Sequence, residues 1–330
     1  MNPVPTGEII EQAVRLAGRA PSLHNSQPWR WVFDGTALRL FAVAERMLPT
    51  TDPSGRQLIL SCGIALDHLR AAMAAAGWRT HVVRFPNPNR FDHLATVRFT
   101  PTPIVTDADR ERVAAITTRR TDRLPFTEPK GWADFAPLLR TLVDPDDALL
   151  DVLGDDSRPR LSHASELTIA LRRYESDYQA ELQWWAGHVV AASGIPRSAL
   201  INDEERDRVA VGRTFPTTHG DSRRSGIVDH SRIVVLSTDA DDHDSVLRCG
   251  EAMSAVLLEC TVAGYATCTL THLTELPRSR TIVGELTGRT ALPQALIRVG
   301  NAPAATDAPA RTPRRPLAEI LRIADTPSAP

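Results

Sequence analysis

Cys62-Gly-Ile-Ala-Leu-Asp-His-Leu-Arg-Ala-Ala-Met-Ala-Ala-Ala-Gly-Trp-Arg-Thr80 and Cys249-Gly-Glu-Ala-Met-Ser-Ala-Val-Leu-Leu-Glu-Cys-Thr-Val-Ala-Gly-Tyr-Ala-Thr267 read as two copies of one pattern, 187 residues apart. Both open on Cys-Gly, share Ala65/Ala252 and Ala76/Ala263, and end in Ala-Gly-aromatic before a threonine. The first copy is apolar nearly all round (Ile64, Ala65, Leu66, Leu69, Ala72, Met73), which marks a core helix. Downstream, Ala95-Thr-Val-Arg-Phe99 pairs with Ala295-Leu-Ile-Arg-Val299, now 200 residues apart. The alternative is two unrelated buried helices that share small residues because tight packing requires them. Two diverged copies of one module predict a fused dimer, in which one of two formerly equivalent interface sites is kept.

Working outward, Gly7 to Ala20 carries Ile9, Ile10, Ala13, Val14, Leu16 and Ala17 at helical spacing, with Thr6 as N-cap and Pro21 as stop. Trp29, Trp31 and Phe33 alternate into an Asp34-Gly35 turn and a second strand at Leu38–Ala42. Strands are expected near His81–Phe85 and Leu94–Thr100, helices near Arg110–Arg120 and Ala133–Val143, and a strand at Leu149–Leu153. One long helix is expected from Leu161 to Trp185. Residues 187–230 are polar with little periodicity, and a loop that long reads as a lid or as disorder. Regular structure resumes with strand Arg232–Ser237, helix Val246–Ala263, strand Thr267–Thr271, a short helix near Arg278–Leu286 and strand Gln294–Val299. The expected modules are residues 1–107 and 108–330, the latter with the candidate lid and a C-terminal arm.

The chain has 330 residues, with 38 basic and 40 acidic side chains. That balance offers no electrostatic reason for a nucleic-acid or anionic-membrane partner. Lys130 is the only lysine, so a Walker A loop is absent and Schiff-base chemistry has one candidate. Four cysteines without a CxxC fit buried thiols in a reducing cytosol. No leader is read near Met1, and the apolar runs read as too short to span a bilayer, so a cytoplasmic protein is expected. There is neither HExxH nor Cys/His ligand spacing, and no GxGxxG.

Two motifs lie outside the repeat. Arg19-Ala-Pro-Ser-Leu-His-Asn-Ser-Gln-Pro-Trp-Arg-Trp31 joins a helix to a strand, with two prolines bracketing a dense set of donors and acceptors. It suits gripping a heterocycle; a capped turn packed on Trp29 is the plainer reading. Arg119-Arg-Thr-Asp-Arg-Leu-Pro-Phe126 gathers three guanidiniums beside a hydroxyl, a set that suits a phosphate. Cations placed at a helix C-terminus are the alternative. A further basic group, Arg311, Arg314 and Arg315, lies near the end of the chain. Trp184-Trp185 with Tyr174 and Tyr178 read either as a pocket wall or as core.

Pro-Ser-x-x-Asn-x-Gln-Pro-Trp, Arg-Arg-x-x-Arg-x-x-Phe and the helix ending in Ala-Gly-aromatic together resemble the flavin-dependent nitroreductase superfamily. The chain is similar in particular to its tandem, Acg-type branch, and the resemblance spans nearly all of it. It implies an α+β fold: two fused nitroreductase-fold modules, mixed sheets packed with helices, forming an intramolecular pseudo-dimer that is monomeric. It implies FMN as cofactor. By position, Arg119, Arg120, Thr121 and Arg123 match the phosphate segment, and Arg314 and Arg315 the late basic pair. Pro21, Ser22, Leu23, His24, Asn25 and Gln27 match the loop lent to the isoalloxazine and ribityl chain. The backbone contacts to the flavin N5 and O4 edge map onto Thr269, Leu270, Thr271 and His272, where Thr-His replaces the usual Glu-Gly.

Each motif occurs once, so one FMN per chain is expected, and Arg120→Ala is expected to weaken its binding. No catalytic side chain is required, because the hydride chemistry belongs to the flavin. Two functions follow. A covered flavin would suit storage or sequestration, which the branch's link to stress and dormancy also implies. An open one would suit an NAD(P)H-dependent oxidoreductase acting on a nitro or quinone-like acceptor. A scaffold without cofactor is a third class.

Overall fold

A computed structural model describes residues 3–187, 192–216, 218, 220–303 and 311–324. Helix α1 (Gly7–Ala17) is capped by Thr6, whose hydroxyl accepts from the Ile9 amide, and it buries Ile10, Ala13, Val14 and Ala17. Strands β1 (Trp29–Phe33) and β2 (Leu38–Ala42) form the expected hairpin. Its turn is closed by the Asp34 carboxylate, which accepts from the Thr36 and Ala37 amides. Helix α2 (Arg56–Ala75) follows, then β3 (Trp78–Arg84) and β4 (His93–Pro101).

After α3 (Asp107–Thr118) and α4 (Trp132–Leu142), the same series recurs: β5 (Leu149–Leu153), β6 (Arg232–Thr238), α8 (His243–Val262), β7 (Ala266–Leu270) and β8 (Leu292–Gly300). Between β5 and β6 lie α5 (Arg158–Arg172), α6 (Ser176–Trp185) and the short α7 (Asp203–Asp207); α9 (Pro277–Thr287) lies between β7 and β8. The chain ends with a helical turn, α10 (Leu317–Ile320), and β9 (Leu321–Ile323).

The repeat is visible in the topology. One sheet runs β3-β4-β2-β1 and the other β7-β8-β6-β5, the same order strand for strand. Both carry a register irregularity in the corresponding pair, at Leu40/Phe41 and at Leu236/Ser237. Strand β9 leaves the second half and pairs parallel with β1, so the terminal arm completes the first sheet.

The central helices α2 and α8 meet at the paired glycines. A Cβ on Gly63 would lie 2.1 Å from the Leu247 carbonyl oxygen, and one on Gly250 would lie 2.3 Å from that of Leu60. Leu60 and Leu247 are themselves repeat partners, so each glycine faces the same carbonyl of the other copy. That reciprocity is the signature of a two-fold interface. Around the crossing, residues of both helices and both sheets share one apolar core.

Three expectations are corrected. The helix from Leu161 to Trp185 is two helices, broken at Arg173–Glu175. The 187–230 segment is more than a loop: its described residues include α7 and a buried cluster of Ala186, Ile195 and Leu200. Helix α2 is also long and apolar enough to cross a bilayer, although in this fold most of it is buried. Its apolar surface is answered by α8 and the sheets. All four cysteines are buried and unpaired.

Candidate functional site

The loop after α1 enters the site first. His24, Asn25 and Gln27 have φ of 46°, 59° and 50°, left-handed backbone that costs a non-glycine residue about 1–2 kcal/mol. Local bonds compensate: Gln27 N donates to Ser22 Oγ at 2.9 Å and Leu23 N to Ser61 Oγ at 3.3 Å. Strain held in this way is frequent at binding sites. The loop forms one wall of a cavity.

Pro21, Ser22, Leu23 and His24 line this cavity, as do Thr121 and Arg123 and the whole strand end Thr269, Leu270, Thr271 and His272. Helix α2 contributes Gln57, Leu60, Ser61 and Ile64, and α8 contributes Met253. The site therefore lies between the two copies. Its remaining wall comes from the segment before β6: Ile201, Val209, Gly212, Arg213 and Phe215.

Polar groups in the wall are unusually short of partners. Neither ring nitrogen of His24 has one among the described residues, nor does Gln57 Oε1 or His272 Nδ1. Burial, aided by Arg213, holds the pKa of both His24 and His272 well below the usual histidine range, so both rings are neutral at pH 7. His24 packs edge-on to Phe215 at 5.6 Å, and the Arg123 guanidinium lies 5.1 Å from the Phe215 ring centre. Arg213 is locked by a buried ion pair with Glu275 and a 2.8 Å bond to the Tyr178 hydroxyl.

Three arginines gather near one another outside the lining of this cavity. Arg119 is 8% exposed and its side chain has no bonding partner among the described residues. Among the described residues the Arg314 guanidinium reaches only the carbonyls of Thr312, Pro313 and Arg19. The Nε atoms of Arg19, Arg119 and Arg314 are all unpartnered among the described residues. Burial and the neighbouring Arg19 lower Arg119 to about 10; burial with Arg119 and Arg19 lowers Arg314 to about 9. Buried cations without a carboxylate are costly unless an anion joins them, and guanidiniums are suited to a phosphate. Arg19 stands two residues before Pro21, and Arg119 two before Thr121, so two chain segments run from the cluster into the cavity wall.

The expected residues thus divide. Arg119 and Arg314 meet, joined by Arg19, which the sequence reading had quoted without assigning. Arg120 is exposed and belongs to neither cluster nor cavity, because consecutive residues at the end of α3 point to different sides. Arg123 neighbours Arg213 in the cavity wall and donates to the Ala199 carbonyl at 3.1 Å. Asn25 and Gln27 turn instead to the segment between α6 and β6, donating to the carbonyls of Gly194 and Ala192 at 3.0 and 2.9 Å. Arg315 fastens the arm to the loop: its amide donates to Gln27 Oε1 at 2.9 Å and its side chain pairs with Glu319.

Uncharacterized protein Rv3127 of Mycobacterium tuberculosis is 53% identical over 324 residues, covering 97% of this chain and 94% of its own. The protein of the same organism named Putative NAD(P)H nitroreductase acg is 51% identical over 319 residues, 96% of each chain. This chain belongs to the nitroreductase family. Among solved structures, the FMN-dependent nitroreductase NfnB of Mycobacterium smegmatis, in complex with NADPH, aligns with 66% of this chain and 100% of its own. The identity there is 15% and the TM-score 0.41. No family model matches the chain.

Sequence reasoning missed Arg19, Gln57, Arg213 and Phe215 of this nitroreductase. Arg213 and Phe215 sit in a stretch without periodicity, where no motif singles them out. Gln57 could have been found as a polar residue near the start of an otherwise apolar helix. The aromatic stripe is not a wall of the cavity: Tyr174 and Trp184 are exposed, while Tyr178 is buried and reaches the site only through Arg213. Among the described residues no group of His, Cys, Asp and Glu is arranged to hold a metal.

Proposed function

We propose that this chain is a flavoprotein that holds one FMN in the cavity between its two copies and keeps it covered, as a store of flavin. The observation that carries the reading is the cluster of Arg19, Arg119 and Arg314, which has no carboxylate partner among the described residues and is joined by short chain segments to the cavity wall. The residues fit the group: guanidiniums for the phosphate dianion, and for the ring a mostly apolar chamber with unpartnered polar atoms on Gln57, His24 and His272. When bound, FMN would supply hydride transfer at its N5; the protein's residues bind it, orient it and exclude water.

A single site per chain is supported by what occupies the mirrored position. Under the 187-residue offset, Ile64 corresponds to Glu251, Thr271 to Arg84 and His272 to Phe85. Glu251 is buried and pairs with Arg84 at 2.7 Å and Arg70 at 2.9 Å. An ion-pair plug stands where the other copy has its cavity. Residues 1–107 and 108–330 are then the two halves of a monomeric pseudo-dimer, with the C-terminal arm crossing back to the first.

Cover is supported by the way the segment before β6 is held. Besides Arg213–Glu275, Arg224 pairs with Asp122 at 2.5 Å, and the Arg298–Asp229 pair is 1% exposed on both sides. The second reading is an NAD(P)H-dependent reductase of nitro or quinone-like acceptors, favoured by the name of the 51%-identical relative. Anaerobic addition of NADPH to the yellow protein separates them. Persistent colour, with bleaching only by dithionite, supports the store; prompt bleaching supports the reductase. A colourless protein that takes up no FMN refutes both.

A further inference from the structure

His272 follows β7 and lines the cavity. Its Nε2 lies 2.9 Å from Ser165 Oγ, and the Ser165 hydroxyl lies 3.0 Å from the Gly212 carbonyl oxygen. A carbonyl only accepts, and a hydroxyl has a single proton, so that proton is spent on Gly212. The contact with His272 is then a bond only if Nε2 carries the hydrogen and donates it to Ser165. The ring is neutral, because it is fully buried beside Arg213. Nδ1 is consequently a bare lone pair, buried and without a partner among the described residues.

A desolvated acceptor left unmatched is costly, so the arrangement calls for a donor from whatever fills the cavity. One donor of the protein's own stands near: the Arg213 guanidinium, held by Glu275 and Tyr178, lies 3.5 Å from Thr271 Oγ1 and acts on the His272 ring. An acceptor with a donor near it suits an imide edge, in which one N–H stands between two carbonyls. The Thr271-His272 pair occupies the place where the resemblance implies Glu-Gly, so the feature belongs to this chain's own side chains.

We propose that His272 is a specificity-determining residue, whose Nδ1 accepts the imide N3–H of the flavin ring. The proposal rests on the FMN reading, and its test separates the two. Flavin-free protein is titrated with FMN and with 3-methyl-FMN, in which a methyl group replaces the N3 hydrogen, while flavin fluorescence is followed; the His272 variants separate the lost bond from the added bulk. Wild type prefers FMN by roughly ten- to hundredfold. His272→Leu loses FMN affinity by a similar factor, and its preference falls to within about twofold. His272→Asn, which keeps an acceptor near the place of Nδ1, retains most of the preference. The 15N resonance of His272 Nδ1 in wild type shows an unprotonated nitrogen and moves on addition of FMN. Equal binding of the two flavins by wild type overturns the role of His272 and leaves the FMN reading standing, as does a preference undiminished in His272→Leu. Binding of neither flavin by wild type overturns both.

Discussion

Arg119→Met should make the flavin-free protein more stable and its hold on FMN weaker. The Arg119 guanidinium is buried, lacks a bonding partner among the described residues, and has its pKa lowered by burial and Arg19 to about 10. For a cation the sign is plain: a folded pKa below the unfolded one penalises folding at every pH below the folded value. The penalty is relieved only as pH rises past it. A difference of 2.5 units corresponds to about 3 kcal/mol at neutral pH. Methionine fills much of the same volume without the charge, so the variant should gain about 2–3 kcal/mol, less whatever packing is lost. Chemical denaturation without flavin measures the gain. Binding should move the other way, because a charge-assisted phosphate contact is worth about 1.5–3 kcal/mol, roughly ten- to hundredfold in Kd. Fluorescence titration with FMN measures that loss. A structural arginine would move both quantities in one direction. If Arg119→Met is destabilised without flavin, or binds FMN as wild type does, the anion-site reasoning is refuted.

The same titration on Arg120→Ala should show unchanged affinity, since that side chain is exposed and outside the cluster; a tenfold loss would restore the sequence-based expectation. Gly63→Ala should cost about 1–3 kcal/mol in urea denaturation, because its Cβ would meet the Leu247 carbonyl oxygen at 2.1 Å and backbone on both helices must shift. His24, His68 and His272 are buried with pKa held well below 6.5 by desolvation. The unfolded chain therefore binds protons that the fold refuses, and stability should fall as pH drops below about 6.5, by about 1.4 kcal/mol per unit for each histidine. Flavin-free melts between pH 7.5 and 5 test this; a flat Tm would refute it. Glu275→Gln leaves Arg213 buried without its partner and should cost about 3–5 kcal/mol while speeding FMN release. Unchanged release by stopped-flow would mean that the covering segment does not limit exchange.

The repeat alone determined the core of this protein. Matching cysteine, glycine and alanine positions predicted two equivalent helices, and those helices cross at their glycines, because only residues without a side chain let two backbones approach so closely. The hairpin and the four strands of each half were likewise readable, since periodicity and turn chemistry are local properties. What local pattern could not carry is which way consecutive residues face after they leave a helix. Arg119 and Arg120 are adjacent in sequence, yet one is buried in a cationic cluster and the other exposed. Arg19, Arg119 and Arg314 come together only because the C-terminal arm crosses to the first sheet, a pairing across nearly the whole chain. The tautomer inferred for His272 depends in the same way on tertiary contacts, a serine from α5 and a carbonyl from the segment before β6. Charge and hydrogen-bonding capacity are written in the sequence; whether a group finds a partner is decided by packing.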